Sequence, residues 1–229
     1  MDWVHLEETD STNRVAKELA RQGAPHGTVV SAKRQTAGRG RLGRRFCSPE
    51  GGIYLSVLLR TDLPPEDRAL LTPMAAVAVC RTVERLCGVR PGIKWVNDLY
   101  LEDKKLCGIL CEAAGDAVIV GIGLNYAMPP AGFPPDIPAT ALYPPAGGPV
   151  RREKLAEAIA EAVLTSDPRA CMAEYRARNL VPGKAVMVHP ISGEPYPAKA
   201  LDIDDRGRLV VEWEQGTTIL DSGEVSVRF

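Results

Sequence analysis

The chain has no excess of charge of either sign, no Cys-x-x-Cys pair, no apolar run long enough to cross a bilayer and no internal repeat. Each absence removes a class of protein. Among 229 residues, 28 lysines and arginines nearly balance 29 aspartates and glutamates, which argues against a general nucleic-acid binder and leaves room only for local basic clusters. The cysteines are Cys47, Cys80, Cys87, Cys107, Cys111 and Cys171. Four have apolar neighbours, where a small thiol packs well, so they read as reduced, cytosolic cysteines. Cys107 and Cys111 are four apart, but His5, His26 and His189 are scattered and give no zinc-ligand spacing. Met1, Asp2 and Trp3 lead into charged sequence, unlike a signal peptide, so a cytoplasmic protein without membrane attachment is expected.

The length suits one main domain with a sizeable core and a small appended one. Residues 10–23 carry Val15, Ala16, Leu19 and Ala20 at helical spacing behind a Ser-Thr-Asn start and end on Gly23. Strands are expected at Thr28–Ala32 and Ile53–Leu59, separated by a Gly- and Arg-rich loop over 38–52. Thr72 is the expected cap, and Pro73 the first residue, of a buried helix running to Gly88. An antiparallel meander follows: Ile93–Trp95 continuing into Leu99–Leu101, then Leu106–Ala113 and Ala117–Leu124, turning at Glu102-Asp103-Lys104 and Gly115-Asp116. A proline-rich loop covers 127–149, and helical patterns return at 152–164 and 169–178. From Pro182 the chain alternates in short strands, with turns at Ser192-Gly193, Arg206-Gly207 and Ser222-Gly223. The expected architecture is α+β: a mixed, largely antiparallel sheet with helices over 1–181, and a small β-barrel domain over 182–229.

Three segments can carry chemistry. Gln35-Thr36-Ala37-Gly38-Arg39-Gly40-Arg41-Leu42-Gly43-Arg44-Arg45 combines a flexible backbone with guanidinium forks suited to carboxylate or phosphate. A solvated basic loop is the alternative for an isolated run of this kind. Gly38, Gly40 and Gly43 also satisfy G-x-G-x-x-G, with Asp62 downstream, but the chain continues into a strand where a dinucleotide fold needs a helix. Nor is it a Walker loop, since Arg44 and Arg45 stand where Lys-Ser or Lys-Thr should follow Gly43.

The second segment is Lys94-Trp95-Val96-Asn97-Asp98, followed by Lys104-Lys105-Leu106-Cys107-Gly108. The meander would bring Lys94 and Lys105 together from adjacent strands, and two cations at one pocket suit a reaction that develops charge on phosphate. Standing alone, the segment reads equally as exposed lysines and an Asn-Asp turn. The third is Gly121-Ile122-Gly123-Leu124-Asn125, whose terminal amide can read a ribose or base edge or simply form a turn. Ser11, Thr12 and Asn13 can cap the first helix, contact a ligand, or both.

In this order and spacing, the segments over residues 10–125 resemble the catalytic domain of biotin protein ligases: a Ser-Thr-Asn, a GRGR loop, a KWxND segment, a K-L-x-G-I strand and a G-x-G-x-N strand end. The β tail is similar to that family's SH3-like C-terminal barrel, and the main sheet to its class II synthetase-like fold. The resemblance implies that Ser11, Thr12, Asn13, Gln35, Arg39, Gly40, Arg41 and Gly108 contact biotin or its adenylate. It also implies that Lys105, with Arg41, serves catalysis at the biotin carboxylate and the phosphate. Arg44, Phe46, Lys94, Asn97 and Asn125 would serve ATP, and Asp98 would reach Mg2+. The implied reaction makes biotinyl-5'-AMP and pyrophosphate, then biotinylates a lysine of a biotin carboxyl carrier protein. A homodimer through an exposed sheet edge is implied as well. Val96 stands where the family has proline and Phe46 where it commonly has tryptophan. The catalytic pattern starts within the first dozen residues, so the amino-terminal winged helix of ligases that double as repressors, and DNA binding with it, is not expected. A lipoate or octanoate ligase or transferase is the nearest alternative, and a biotin-binding module without catalysis is another.

Overall fold

A computed structural model describes residues 1–134, 136–221 and 225–228, the last four as backbone only. Among the described residues, twelve strands and four α-helices follow one another as β1 (Asp2–Thr9), α1 (Thr12–Arg21), β2 (Thr28–Gln35), β3 (Ile53–Arg60), α2 (Leu71–Cys87), β4 (Gly92–Lys94), β5 (Asp98–Leu101), β6 (Lys104–Ala114), β7 (Ala117–Leu124), α3 (Arg152–Thr165), α4 (Met172–Arg178), β8 (Ala185–Pro190), β9 (Tyr196–Ile203), β10 (Leu209–Trp213), β11 (Gly216–Leu220) and β12 (Val225–Arg228). The first seven strands form one sheet in the order β1-β2-β3-β7-β6-β5-β4. Only β1 and β2 pair in parallel, because α1 carries the chain back between them; the other neighbours are antiparallel. The tail forms a five-stranded antiparallel sheet, β11-β10-β9-β8-β12.

The central strands read as unbroken apolar runs because both sheet faces are covered. On one face Ile53, Leu55, Val57, Leu59, Val118, Val120, Ile122 and Leu124 pack with α2 and α3. On the other, Val30, Leu58, Ala117 and Ile119 pack with Ala16 and Ala20 of α1. Full burial of each large aliphatic side chain stabilises by about 1.5–3 kcal/mol. Val186, Val188, Ala200, Ile203, Leu209, Val211 and Leu220 of the tail belong to the same buried cluster as the α2 face of the large sheet. The two sheets therefore share one core. Among the described residues no helix is long and apolar enough to cross a membrane.

Four expectations are corrected. Strand β1 was not anticipated: it is an edge strand in which only Val4 and Leu6 reach the α1 core, between charged or exposed neighbours. Thr72 does not cap α2, which begins at Leu71 straight out of a 3-10 turn over Pro65–Leu70, leaving Pro73 inside the first helical turn. The helix does end at Gly88, whose φ of 68° is the left-handed conformation that glycine adopts without strain. Ile93–Trp95 does not continue into Leu99–Leu101. The chain reverses there, pairing Lys94 with Asp98, because Trp95 and Val96 turn into the core. The Trp95 indole donates to Gly207 O at 2.9 Å and the Tyr175 hydroxyl donates to Val96 O at 2.8 Å, holding the reversal from two sides. The last α-helix begins at Met172, three residues later than its pattern suggested. The Ser222-Gly223 turn lies outside the described residues.

Candidate functional site

The α1 face of the sheet is apolar only part of the way along. Past Leu58 and Ile119 the inward positions become Ser56 on β3, Gly121 and Gly123 on β7, and Leu110 and Gly108 on β6, with Glu112 level with Ile119. Helix α1 begins there, so the floor is uncovered where its first residues and the Gly/Arg loop stand. A cavity of about 140 Å³ opens at this point. Ser11, Thr12, Asn13, Gln35, Arg39, Gly40, Arg41, Arg44, Phe46, Asn97, Asp98, Lys105 and Gly108 all line it.

One part of the lining is uncharged and hydrogen-bonded. Ser11 precedes α1 without making a side-chain cap bond, and Ser11, Thr12 and Asn13 are all buried. Gln35 Oε1 accepts from the Thr12 backbone N–H at 2.9 Å and lies 3.1 Å from Thr12 Oγ1. The Gln35 amide donates to Ser48 Oγ at 2.9 Å. Ser56, fully buried, sits 2.8 Å from Thr12 Oγ1 and 2.6 Å from Asn13 Oδ1. Asn13 Nδ2 donates to Leu110 O at 3.2 Å and to Glu112 Oε2 at 2.8 Å, and Glu112 Oε1 receives Lys17 Nζ at 2.5 Å. Gly121 makes room for this amide: a β-carbon there would fall 2.1 Å from Asn13 Oδ1.

The other part is charged and aromatic. The Gly/Arg loop folds back on itself through Gly40 N–H to Arg44 O at 2.7 Å and Phe46 N–H to Gly38 O at 2.9 Å. This lays the Phe46 ring on two paired glycines, Gly108 and Gly123. Lys105 Nζ stands 5.5 Å from the ring centroid and 2.7 Å from Asp98 Oδ1. That contact is an ion pair without hydrogen-bond geometry, since Asp98 Oδ1 is buried and accepts no hydrogen bond. The Arg41 guanidinium approaches Asn97 Oδ1 at 3.4 Å, and burial lowers its pKa from the usual value. Asn97 in turn donates to Ile109 O at 2.8 Å. Desolvated cations beside an apolar ring favour an anionic ligand more strongly than the same groups in water.

Two expected residues lie elsewhere. Lys94 is on β4, with β5 between it and β6, so it does not meet Lys105; its Nζ lies 5.4 Å from the Tyr100 ring centroid. Asn125 is buried and spends its amide on Lys105 O at 3.3 Å and Thr140 O at 2.9 Å. It ties the proline-rich loop to the strand that carries Lys105. Neither residue lines the cavity.

Gly121, Gly123, Ile109, Leu110 and Ile122 line the cavity although sequence reasoning did not assign them to it, and Ser56 and Glu112 brace it. Period-2 alternation along β6 and β7 carries that signal for Leu110, Glu112, Gly121 and Gly123, because residues 108, 110 and 112 share a face and so do 121 and 123, but not for Ile109 and Ile122, which point to the opposite face.

Residues 6–125 match the Biotin/lipoate A/B protein ligase family, and residues 183–228 match the Biotin protein ligase C terminal domain. The chain is 34% identical to the Bifunctional ligase/repressor BirA of Bacillus subtilis, aligning 98% of this chain with 73% of that one. It is 35% identical to the Biotin--[acetyl-CoA-carboxylase] ligase of Mycobacterium tuberculosis, with 97% and 89% covered. Among solved structures it resembles the biotin protein ligase from Aquifex aeolicus in complex with biotin and ATP, at 29% identity, a TM-score of 0.82 and coverage of 99% and 98%.

Proposed function

Because this chain belongs to the biotin/lipoate A/B protein ligase family and carries the C-terminal domain of biotin protein ligases, we propose that the cavity joins biotin to AMP and passes the biotinyl group to a carrier lysine. The chain is an ATP-dependent ligase of biotin protein ligase type. One observation carries the assignment of the site: a neutral hydrogen-bonding cluster and a cationic cluster share a single cavity floored by glycines. A head group rich in amide-like N–H and C=O suits the first cluster, and a carboxylate meeting a phosphate suits the second.

In this reading Ser11, Thr12, Asn13 and Gln35 hold the ureido head, and Gly108, Gly121 and Gly123 allow the aliphatic tail to lie close to the sheet. Lys105 and Arg41 hold the carboxylate against the α-phosphorus of ATP. The carboxylate oxygen forms the new bond to phosphorus, the α–β anhydride bond breaks, and pyrophosphate leaves with its electron pair. The carrier lysine amine then attacks the biotinyl carbonyl, AMP departs and the amine loses a proton. Cations preorganised at the developing charge lower the barrier to the first step. Arg39, Gly40, Arg44, Phe46 and Asn97 close around the nucleotide, while Lys94 and Asn125 act from outside the cavity, Asn125 by fixing the backbone of Lys105.

Magnesium fits as an ion brought by the phosphates. Asp98 offers one buried carboxylate oxygen that accepts no hydrogen bond and is shared with the Lys105 ammonium as an ion pair, while among the described residues no group of three or more His, Cys, Asp or Glu can form a protein cage. When bound, it would neutralise phosphate charge.

The acceptor is a biotin carboxyl carrier protein of an acetyl-CoA carboxylase, as the name of the Mycobacterium tuberculosis relative suggests. The six cysteines, all free, fit a reducing cytoplasm. Strand β6 runs beyond the part paired with β5, which stops at Gly108, and this exposed edge beside the cavity suits a second copy of the chain. We assign 1–181 to catalysis and 182–229 to a supporting domain.

The test is pyrophosphate release that requires both biotin and ATP, together with a biotin-sized mass shift on a carrier domain. Release with lipoate or octanoate in place of biotin would move the chain to the other branch of the family, and biotin binding without release would make it a non-catalytic module.

A further inference from the structure

Glu112 makes no hydrogen bond to the Gly/Arg loop, although the charge of Arg39 reaches it, and it fixes one end of the hydrogen-bond chain behind the cavity. Its carboxylate is ionised. Burial presses its pKa upward, but the bonds from Lys17 and Asn13 and the charge of Lys17 outweigh this and hold it below the usual carboxylate value. An ionised carboxylate only accepts. The side facing it must therefore be the amide nitrogen of Asn13, and Leu110 O selects the same side. Asn13 Oδ1 is left facing Ser56.

A serine hydroxyl has one proton, and Ser56 Oγ faces two oxygens, Asn13 Oδ1 at 2.6 Å and Thr12 Oγ1 at 2.8 Å. An amide carbonyl oxygen cannot donate, so the Ser56 proton goes to Asn13. The contact between the two hydroxyls then requires the proton of Thr12. This leaves lone pairs of Thr12 Oγ1 beside Gln35 Oε1, 3.1 Å away, with only the Thr12 backbone N–H to satisfy Gln35 Oε1. Two acceptors then converge on the cavity lining.

We infer that Glu112 is a positioning residue which, through Asn13 and Ser56, makes the Thr12–Gln35 corner of the cavity an acceptor of N–H groups and so selects a ureido head. This rests on the biotin ligase reading and adds a specificity device to it. A dithiolane or plain alkyl head has no N–H for this corner, which would leave buried acceptors unpaired, and such mismatches discriminate strongly. Gly121 belongs to the same device, because any side chain there would expel the Asn13 amide.

The experiment compares the parent with Glu112→Gln in pyrophosphate release at varied biotin, using biotin and a ureido N-methylated biotin. The substituted amide has one oxygen for two donors, Lys17 and Asn13. The KM for biotin should rise about tenfold, while kcat at saturating biotin and the KM for ATP stay within about twofold, and the preference for biotin over the methylated analogue should narrow. The double variant Lys17→Met/Glu112→Gln frees that oxygen for Asn13 and should restore both the KM and the preference. Should Glu112→Gln fail to fold, Ser56→Ala interrupts the same chain and should give the same split. A well-folded Glu112→Gln with the KM and preference of the parent overturns the inference, as does a double variant no better than the single one. A parent chain that releases no pyrophosphate with biotin overturns the ligase reading itself.

Discussion

Gly123 and Phe46 compete for one volume: a β-carbon on Gly123 would stand 2.5 Å from Cε1 of the Phe46 ring. Because β7 is paired on both sides, the backbone of Gly123 cannot retreat and the ring must move instead. Gly123→Ala should therefore destabilise the fold by about 1–3 kcal/mol, the usual cost of overpacking, and Phe46→Ala in the same chain should recover most of it. Urea midpoints of the two single variants and the double variant measure the coupling. Simple additivity would mean that the ring does not rest on the glycine.

Lys105→Ala should cost about 10² to 10³ in the rate of adenylate formation, because it removes the cation paired with Asp98 in the cavity. Its thermal midpoint should stay near that of the parent, since the ammonium is not part of the apolar core. Near-parental pyrophosphate release from the folded variant would remove Lys105 from the chemistry.

Deleting residues from Gly183 onward should produce an unstable chain rather than an independent catalytic domain. The tail contributes Val188, Ile203, Leu209 and Val211 to the shared core and accepts the Trp95 indole bond through Gly207. Removing it leaves that apolar surface in water and a buried indole N–H without its partner. A truncation with the parent's melting temperature and solubility would show that the tail is only attached.

The ion-pair cluster on α2 and α4 gives a pH dependence with a definite sign. Burial presses Glu174 upward, but its bonds from Arg81 at 2.8 Å and Arg178 at 2.7 Å outweigh this and hold its carboxyl below the ordinary 4.5. The folded state therefore binds fewer protons than the unfolded state near that value. The stabilisation is complete above about pH 4.5 and is lost as pH falls through the lower folded value. Glu174→Gln should flatten the acid limb of a stability–pH curve while changing little of its slope at neutral pH. An unchanged acid limb would place that dependence elsewhere.

The residues most legible in the sequence were those whose partners lie nearby. Ser11 to Asn13 sit at a recognisable helix start, the Gly/Arg loop is set off by composition, and Lys105 and Gly108 lie three residues apart on one strand. Lys94 and Asn125 were less legible because their roles depend on direction. The reversal at Trp95 moves Lys94 to the far side of β5, and it is held by partners in Tyr175 and Gly207, far along the chain. Ser56 and Glu112 look like ordinary strand residues. Their importance arises only when α1 lies across the sheet and Asn13 reaches residues 43 and 99 positions away. Strand β1 was hidden for a related reason, since half of its side chains face outward at an edge.

The proline-rich loop is anchored unevenly. Asn125 grips Thr140, Ala139 bridges Lys105, and Tyr143 bridges Ala127, so positions 138–143 are registered against the strand bearing the cationic lysine. After the buried Pro129, the stretch to Ile137 shows no such hydrogen bond or bridge to the strands among its described residues, apart from turns within itself. Length is thus a free variable in the first stretch and a fixed one in the second. A residue added between 130 and 134 should therefore leave the reaction unchanged, whereas one added between 138 and 143 should shift the register at Lys105.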